Sequence, residues 1–346
     1  MVRKTLTLED HVQSIIAAKG PDGALKTMYQ HHELQDILAR IHERGELPDL
    51  RAYHFYGTFN VWQLPDGNKN LELAREAIAE LVEILKQRYG WELEDIVRNI
   101  TSRHFREEEM LFGATLGGML QVAYRGSPSE AIMDYLRNHP DVDVRKEFAK
   151  LRPYHFRKAQ SGTWTNKDGT KNLELAREAT EELLDVLKQR YGWELEEVVR
   201  NITSRHFYEE EIMFGATLGG MLNGAYRGSP SEAVIDYLQN HPDRNVREKF
   251  RIVRPYHFSM SPLGTWTRKD GTKNYELARE ATAELIETLQ QRYGWGLDDV
   301  ICNIRLCHFD YEEIRFGATL GGMLATVYGN SPSTAICDYM THRHAK

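Results

Sequence analysis

Cysteine is nearly missing from this chain: three residues in 346, Cys302, Cys307 and Cys337, all in its last third. That scarcity excludes a disulfide framework and leads us to expect a reducing compartment. Long apolar runs are missing too. No stretch approaches the ~20 residues a membrane-spanning helix needs, and the opening Met-Val-Arg-Lys-Thr-Leu-Thr has no signal-peptide apolar core. The chain therefore reads as cytoplasmic, without membrane contact. An excess of basic charge is lacking as well, with 44 Lys and Arg against 51 Asp and Glu and a net charge of −7. This counts against a generic polyanion binder, whose domains are strongly basic. Any nucleic-acid surface must then be a local patch on an acidic body. Gly-rich phosphate loops, nucleophile elbows and metalloprotease motifs are lacking. No cofactor is expected, and the chain reads as non-enzymatic.

What is present in abundance is repetition. Phe-Gly-Ala-Thr-Leu-Gly-Gly-Met-Leu occurs three times unchanged, at Phe112 to Leu120, Phe214 to Leu222 and Phe316 to Leu324, a spacing of 102 residues. The pairs Gly90/Trp91, Gly192/Trp193 and Gly294/Trp295 keep the same period. Three modules follow, over 51–150, 151–252 and 253–346. Residues 1–50 match the second half of a module, since Leu6 to Ile15 aligns with Trp91 to Ile100 and Gly23, Leu25 and Tyr29 keep the spacing of Gly118, Leu120 and Tyr124. They are expected to be a degenerate N-terminal half-repeat serving as a cap.

Each module opens on an aromatic strip, Tyr53-His-Phe, Tyr154-His-Phe or Tyr256-His-Phe, which we expect to anchor the core rather than to stack bases. A Gly-Thr-aromatic step and an Asp-Gly turn come next. The clearest helix spans Leu71 to Tyr89, Leu173 to Tyr191 and Tyr275 to Tyr293, with Asn70, Asn172 and Asn274 as N-caps and Gly90, Gly192 and Gly294 as left-handed stops. A shorter helix is expected over Leu93 to Ile100. A polar turn follows at Thr101 to Phe105, then a helix from Thr115 to Tyr124. Ser127 and Pro128 start a last helix reaching about Asn138. The fold class is thus all-α: a tandem array of three four-helix modules with helix-turn-helix-like cores and an N-terminal half-module. Gly117-Gly118 and their copies are expected to let helices pack closely.

In a helix-turn-helix, function lies on the polar residues flanking the close-packed helix. The candidates are Arg98, Arg103, His104 and Arg106, then Arg200, Arg205 and His206, with Arg305 and His308 in the third module. Lys167 and Lys171, in a charged loop, are placed to touch phosphates. Arginine suits phosphates and guanine edges because its planar fork donates two hydrogen bonds at once. The third module departs from the pattern, with Cys302 and Cys307 where the others carry arginine. His104 with Glu107 and Glu108, and His206 with Glu209 and Glu210, have the spacing of helical metal ligands. One module supplies only half such a site, and Tyr311 interrupts the pattern after His308. Cys302, Cys307, His308 and Cys337 lack the paired spacing of a structural zinc site. No metal is therefore expected.

The module resembles a bacterial and phage-associated tandem domain family of uncharacterised function. The resemblance rests on Pro153-Tyr-His-Phe156, Gly162-Thr-Trp164, Tyr191-Gly-Trp193, Leu218-Gly-Gly-Met-Leu222 and Ser229-Pro230, with Asn330-Ser-Pro332 in the third module. It covers nearly all of residues 51–340. The layout is similar to the helical repeats that accompany homing endonucleases, and that similarity implies DNA binding without implying catalytic residues. The leading expectation is a multivalent DNA-binding protein. The second is a helical-repeat scaffold for protein partners, which the acidic balance favours. The third is a metal-dependent enzyme using the His and Glu pairs.

Overall fold

The structure is a computed structural model that describes residues 52–54, 59–64, 66–110, 115–156, 162–166, 168–258, 264–268 and 270–343. The half-repeat expected at 1–50, Lys167 and the segment Phe112-Gly113-Ala114 lie outside the described residues. Among the described residues the fold is all-α, with 17 α-helices, short 3₁₀ turns and no strand beyond isolated bridges such as Thr165 to Lys171.

The helices recur at the period of the sequence. In the first copy they are α1 (Leu71–Tyr89), α2 (Leu93–Asn99), α3 (Ser102–Glu107), α4 (Gly117–Tyr124), α5 (Pro128–Arg137) and α6 (Val142–Glu147). The second holds α7 (Leu173–Tyr191), α8 (Leu195–Asn201), α9 (Ser204–Glu209), α10 (Gly219–Tyr226), α11 (Pro230–Gln239) and α12 (Arg244–Phe250). The third holds α13 (Tyr275–Tyr293), α14 (Leu297–Asn303), α15 (Leu306–Tyr311), α16 (Gly321–Tyr328) and α17 (Pro332–His342). Two compact units result. One takes the described residues as far as 160 together with Phe214–Ala216, and the other those of 161–213 and from 217 onward.

Local chemistry accounts for the long helices. The Asn70 side chain accepts the Leu73 N–H, Gly90 adopts φ 68° at the C-cap, and Lys86 and Arg88 occupy the last turn, where a cation suits the helix dipole. Ala74, Ala77, Ile78, Leu81, Val82 and Leu85 form the buried face, which meets α4 and α5. Ser127 and Pro128 start α5 as expected.

Each period of the described chain holds more than the four helices expected of it. The stretch from Thr101 to Phe105 is not a turn, because α3 begins at Ser102. The imidazole Nδ1 of His104 accepts the Thr101 N–H at 3.1 Å, a capping bond that propensity alone does not reveal. The helix expected from Thr115 starts only at Gly117, and Val142–Glu147 adds a short helix capped by Asp141. The glycine pair also divides its labour. A Cβ on Gly219 would run into the Tyr208 ring, and one on Gly117 would lie 3.2 Å from Arg106 Cγ, whereas Gly322 faces open space. Close approach needs only the first glycine.

The start of the nonapeptide makes the most consequential contact. Phe214 and Phe316 both sit at φ 58°, followed by Gly215 at φ 69° and Gly317 at φ 74°. In the first unit the Phe214 ring stacks on Phe148 at 5.4 Å and meets the edge of His155 at 5.4 Å, while Arg98 Nε donates to the Phe214 carbonyl at 3.2 Å. The second unit repeats this with Phe316 on Phe250 (6.0 Å) and His257 (5.1 Å), and with Arg200 Nε on the Phe316 carbonyl (3.2 Å). A left-handed residue costs roughly 1–2 kcal/mol. Phe214 and Phe316 are partly buried, and aromatic contacts of this kind contribute on the order of 0.5–1.5 kcal/mol each, which offsets much of the strain.

The Tyr-His-Phe strips are core anchors. His257 Nδ1 accepts the Arg254 N–H at 3.0 Å, so Nε2 carries the hydrogen and donates to Glu284 at 2.9 Å; Tyr256 donates to the same carboxylate at 3.2 Å. Tyr53 and His54 bind Glu80 in the same way, both at 2.9 Å.

Replacing Gly317 by alanine should lower stability by about 1–2 kcal/mol, because a Cβ there is strained at positive φ and would lie 2.6 Å from Arg200 Nε. Gly322→Ala, inside α16 with open space for its Cβ, should leave the melting temperature unchanged or raise it by about a degree or two, because alanine loses less backbone freedom on folding. Glu284 gives a pH test. Burial alone would raise its pKa, but the hydrogen bond and charge of His257, with Arg315 and the Tyr256 hydroxyl, hold it below its ordinary 4.5. A depressed folded-state pKa stabilises above 4.5 and loses that contribution as pH falls through the folded value. Denaturant titrations from pH 7 to 3 should show Glu284→Gln less stable at neutral pH and with a flatter acid limb than the parent.

Candidate interaction surface

Three copies of one aromatic cluster reach the surface. Helix α1 ends on Tyr89, the left-handed Gly90 reverses the chain, and Trp91 folds back so that the two rings stack at 4.9 Å and 29°. His104, held by its capping bonds to the Thr101 N–H and hydroxyl (both 3.1 Å), meets Trp91 edge-on at 5.3 Å. Tyr191, Trp193 and His206 repeat the set at 5.0 and 5.3 Å, and Tyr293, Trp295 and His308 at 5.0 and 5.5 Å. Each of the three tyrosines is 47% exposed.

A carboxylate anchors each cluster. Tyr89 donates to Glu108 at 2.6 Å while Arg88 pairs with the other oxygen, and Tyr191 and Arg190 do the same at Glu210. Tyr293 and Arg292 both bind Glu312. The hydrogen bond to Glu108, then burial and that negative charge, hold the Tyr89 hydroxyl above its ordinary pKa, so it stays protonated and donating. The next residues, Glu109, Glu211 and Glu313, are exposed. Each cluster thus offers a half-exposed tyrosine ring, with an exposed glutamate one residue along from its carboxylate anchor, and a ring quadrupole and a negative charge both attract a cationic side chain.

Most of the cationic residues singled out in the sequence have partners within the fold. Arg98 and Arg200 are spent on the Phe214 and Phe316 carbonyls. Arg103 and Arg205 are 77% exposed and pair within their own helices to Glu107 and Glu209, each at 2.5 Å. The Arg106 stem lies over Gly117. Lys171 caps the end of α10 through the Ala225 carbonyl, as Lys69 and Lys273 do at Ala123 and Val327. His104, His206 and His308 turn Nδ1 to backbone N–H groups, at Thr101, Thr203 and Arg305. The Arg305 side chain is exposed. Lys167 lies outside the described residues.

The metal pattern dissolves for the same reason. Glu107 is taken by Arg103, Glu108 by Arg88 and Tyr89, and the Nδ1 of each histidine by a helix cap. Among the described residues no group of three His, Cys, Asp or Glu side chains could hold a metal ion. The three cysteines are free and exposed.

Sequence reasoning missed two features. Tyr89 and Trp91 served there only as helix end and period marker; their recurrence beside Thr-Ser-Arg-His was the signal. It also missed the buried-edge triad in which Arg75 (2.9 Å) and Tyr124 (2.8 Å) bind Asp134, repeated by Arg177, Tyr226 and Asp236 and by Arg279, Tyr328 and Asp338. Its members lie 59 and 10 residues from the aspartate, too far apart for a local pattern.

If His206 is a cap rather than a ligand, His206→Ala should cost about 1 kcal/mol in urea unfolding, and added Zn²⁺ or Mn²⁺ should leave the parent's melting temperature unchanged. A rise saturating at one ion per repeat would restore the metal reading. No known protein family, curated protein or solved structure matches the chain, so its functional reading rests on its own residues.

Proposed function

We propose that the chain is a tandem array of three helical modules with a 102-residue period and a non-enzymatic scaffold. On this reading each aromatic and acidic surface contributes one weak contact to a protein partner bearing basic side chains. The observation that carries it is the threefold cluster of a half-exposed tyrosine stacked on tryptophan, each with an exposed glutamate next in sequence to the glutamate that binds the tyrosine hydroxyl. Aromatic residues are the side chains that most often dominate protein interfaces. A single cation over an exposed ring contributes only about 0.5–1 kcal/mol. Linking such sites raises overall affinity by ~10²-fold or more when geometry allows them to engage together, which is a reason to keep near-identical copies in one chain.

Duplex DNA has less support. Of the arginines and lysines assigned to phosphates, Arg98, Arg200 and Lys171 serve the fold, and Arg103 and Arg205 carry neighbouring carboxylates that a phosphate would have to displace. The two readings separate by fluorescence anisotropy at low salt, with a labelled Arg- and Lys-rich peptide and a labelled duplex. The peptide should bind. Its affinity should fall at least tenfold in the Tyr89→Ala, Tyr191→Ala, Tyr293→Ala variant, and also when Glu109, Glu211 and Glu313 are changed to lysine, with circular dichroism reporting an intact fold. Duplex binding that weakens with a salt slope of about −0.9 per phosphate and is lost on Arg103→Glu and Arg205→Glu would establish the DNA reading instead.

A further inference from the structure

A pocket in the third copy carries side chains that the matching positions of the other two do not have. Within the second unit, Lys273, Tyr275, Arg279, Tyr328, Thr334 and Asp338 line an open recess of about 560 Å³ between the start of α13, the end of α16 and α17. Its floor is the triad found in every copy. Arg279 Nε and Nη2 hold Asp338 at 2.9 and 3.0 Å, and the Tyr328 hydroxyl donates to the same carboxylate at 2.8 Å. Lys273 Nζ donates to the Val327 carbonyl at 2.7 Å.

The rim differs between copies. Tyr275 stands where the other two have Leu71 and Leu173, Gly329 where they have Arg125 and Arg227, and Thr334 where they have Glu130 and Glu232. The third copy thus gains a ring and loses two long charged side chains. The Tyr275 ring is set edge-on to Tyr328 at 6.0 Å and 63°, and it is 40% exposed. The floor itself is no barer than elsewhere. The side chains of Arg279 and Asp338 are 26% and 16% exposed, against 32% for Arg75 and Arg177 and 24% and 22% for Asp134 and Asp236. The rim substitutions therefore set this copy apart.

Charge selects what the pocket can take. Among its lining residues Lys273 and Arg279 stand against Asp338 alone, which leaves one net positive charge. Glu276, in the same first turn as Tyr275, is paired with Arg268 at 3.0 Å. The Lys273 ammonium has three N–H donors and gives one to a neutral carbonyl, so it can still receive an anionic oxygen. An exposed ring beside it offers a flat face for offset stacking. One net charge matches a carboxylate better than a phosphate dianion.

We infer that this pocket binds a small aromatic carboxylate, its ring packed on Tyr275 and its carboxylate received by Lys273. The site shares no residue with the tyrosine and tryptophan clusters, so it stands or falls apart from the partner reading above.

Calorimetric titration with 1-naphthoate tests it. The parent should take up one naphthoate per chain. Tyr275→Leu and Thr334→Glu each install the side chain that the other copies carry, so both variants should keep the parent's circular dichroism spectrum. Each should weaken binding by roughly tenfold or more, the first by removing the stacking face and the second by setting a carboxylate against the anion. The neutral 1-naphthalenemethanol and the ringless acetate should bind more weakly than naphthoate by a similar factor. No uptake of naphthoate at millimolar concentration would overturn the inference, as would three equivalent sites per chain. Binding that either folded variant leaves at parental strength would do the same.

Discussion

Two phenylalanines held in a left-handed backbone are the constraint on which the described structure depends. Phe214 and Phe316 reverse the chain at φ 58°, present their rings to Phe148 and Phe250, and expose a carbonyl that Arg98 or Arg200 caps. The glycine after each has to follow the same turn beneath the guanidinium, where any Cβ would meet it. Backbone strain, ring stacking and an arginine-to-carbonyl bond are thus coupled at the start of nine residues that do not vary. Conformation-specific packing of this kind leaves little latitude for substitution.

The polar residues near that joint follow a common economy. Histidines, lysines and glutamates that invite a catalytic or phosphate-binding reading are hydrogen-bonded to backbone termini or to one another. His104 caps α3, Lys171 caps α10, and Glu108 ties Tyr89 to Arg88. Short helices explain the demand. A helix of six or seven residues leaves a large share of its N–H and C=O groups without intrahelical partners, and side chains must satisfy those that water does not reach. The half-exposed tyrosine rings and the exposed Glu109, Glu211 and Glu313 carry the partner reading.

Much of the fold was legible in sequence because its signals are local. The period, Asn70 as N-cap, Gly90 as stop and Ser127-Pro128 as helix start all act within a few residues, and each stands where expected. Helix α3 was not legible, since its cap is an imidazole folding back three residues, a bond that looks in sequence like an ordinary polar turn. The candidate site was less legible still. Arg98 and Arg200 look like surface cations until the chain returns 116 residues later to place a carbonyl beneath them. Tyr89 and Trp91 were visible as residues, but their joint exposure was not.

The sequence by itself determined the all-helical class, the 102-residue period, the principal long helices and the acidic balance, because composition, apolar spacing and capping are properties of neighbouring residues. Tertiary structure alone decided which side of each polar helix faces solvent, which arginines are committed to a carbonyl, and that Tyr275 lines one pocket with Tyr328 and the Arg279 to Asp338 pair. Burial and hydrogen-bond partnership depend on residues distant in the chain. Identical local sequences can therefore serve different ends according to what folds against them.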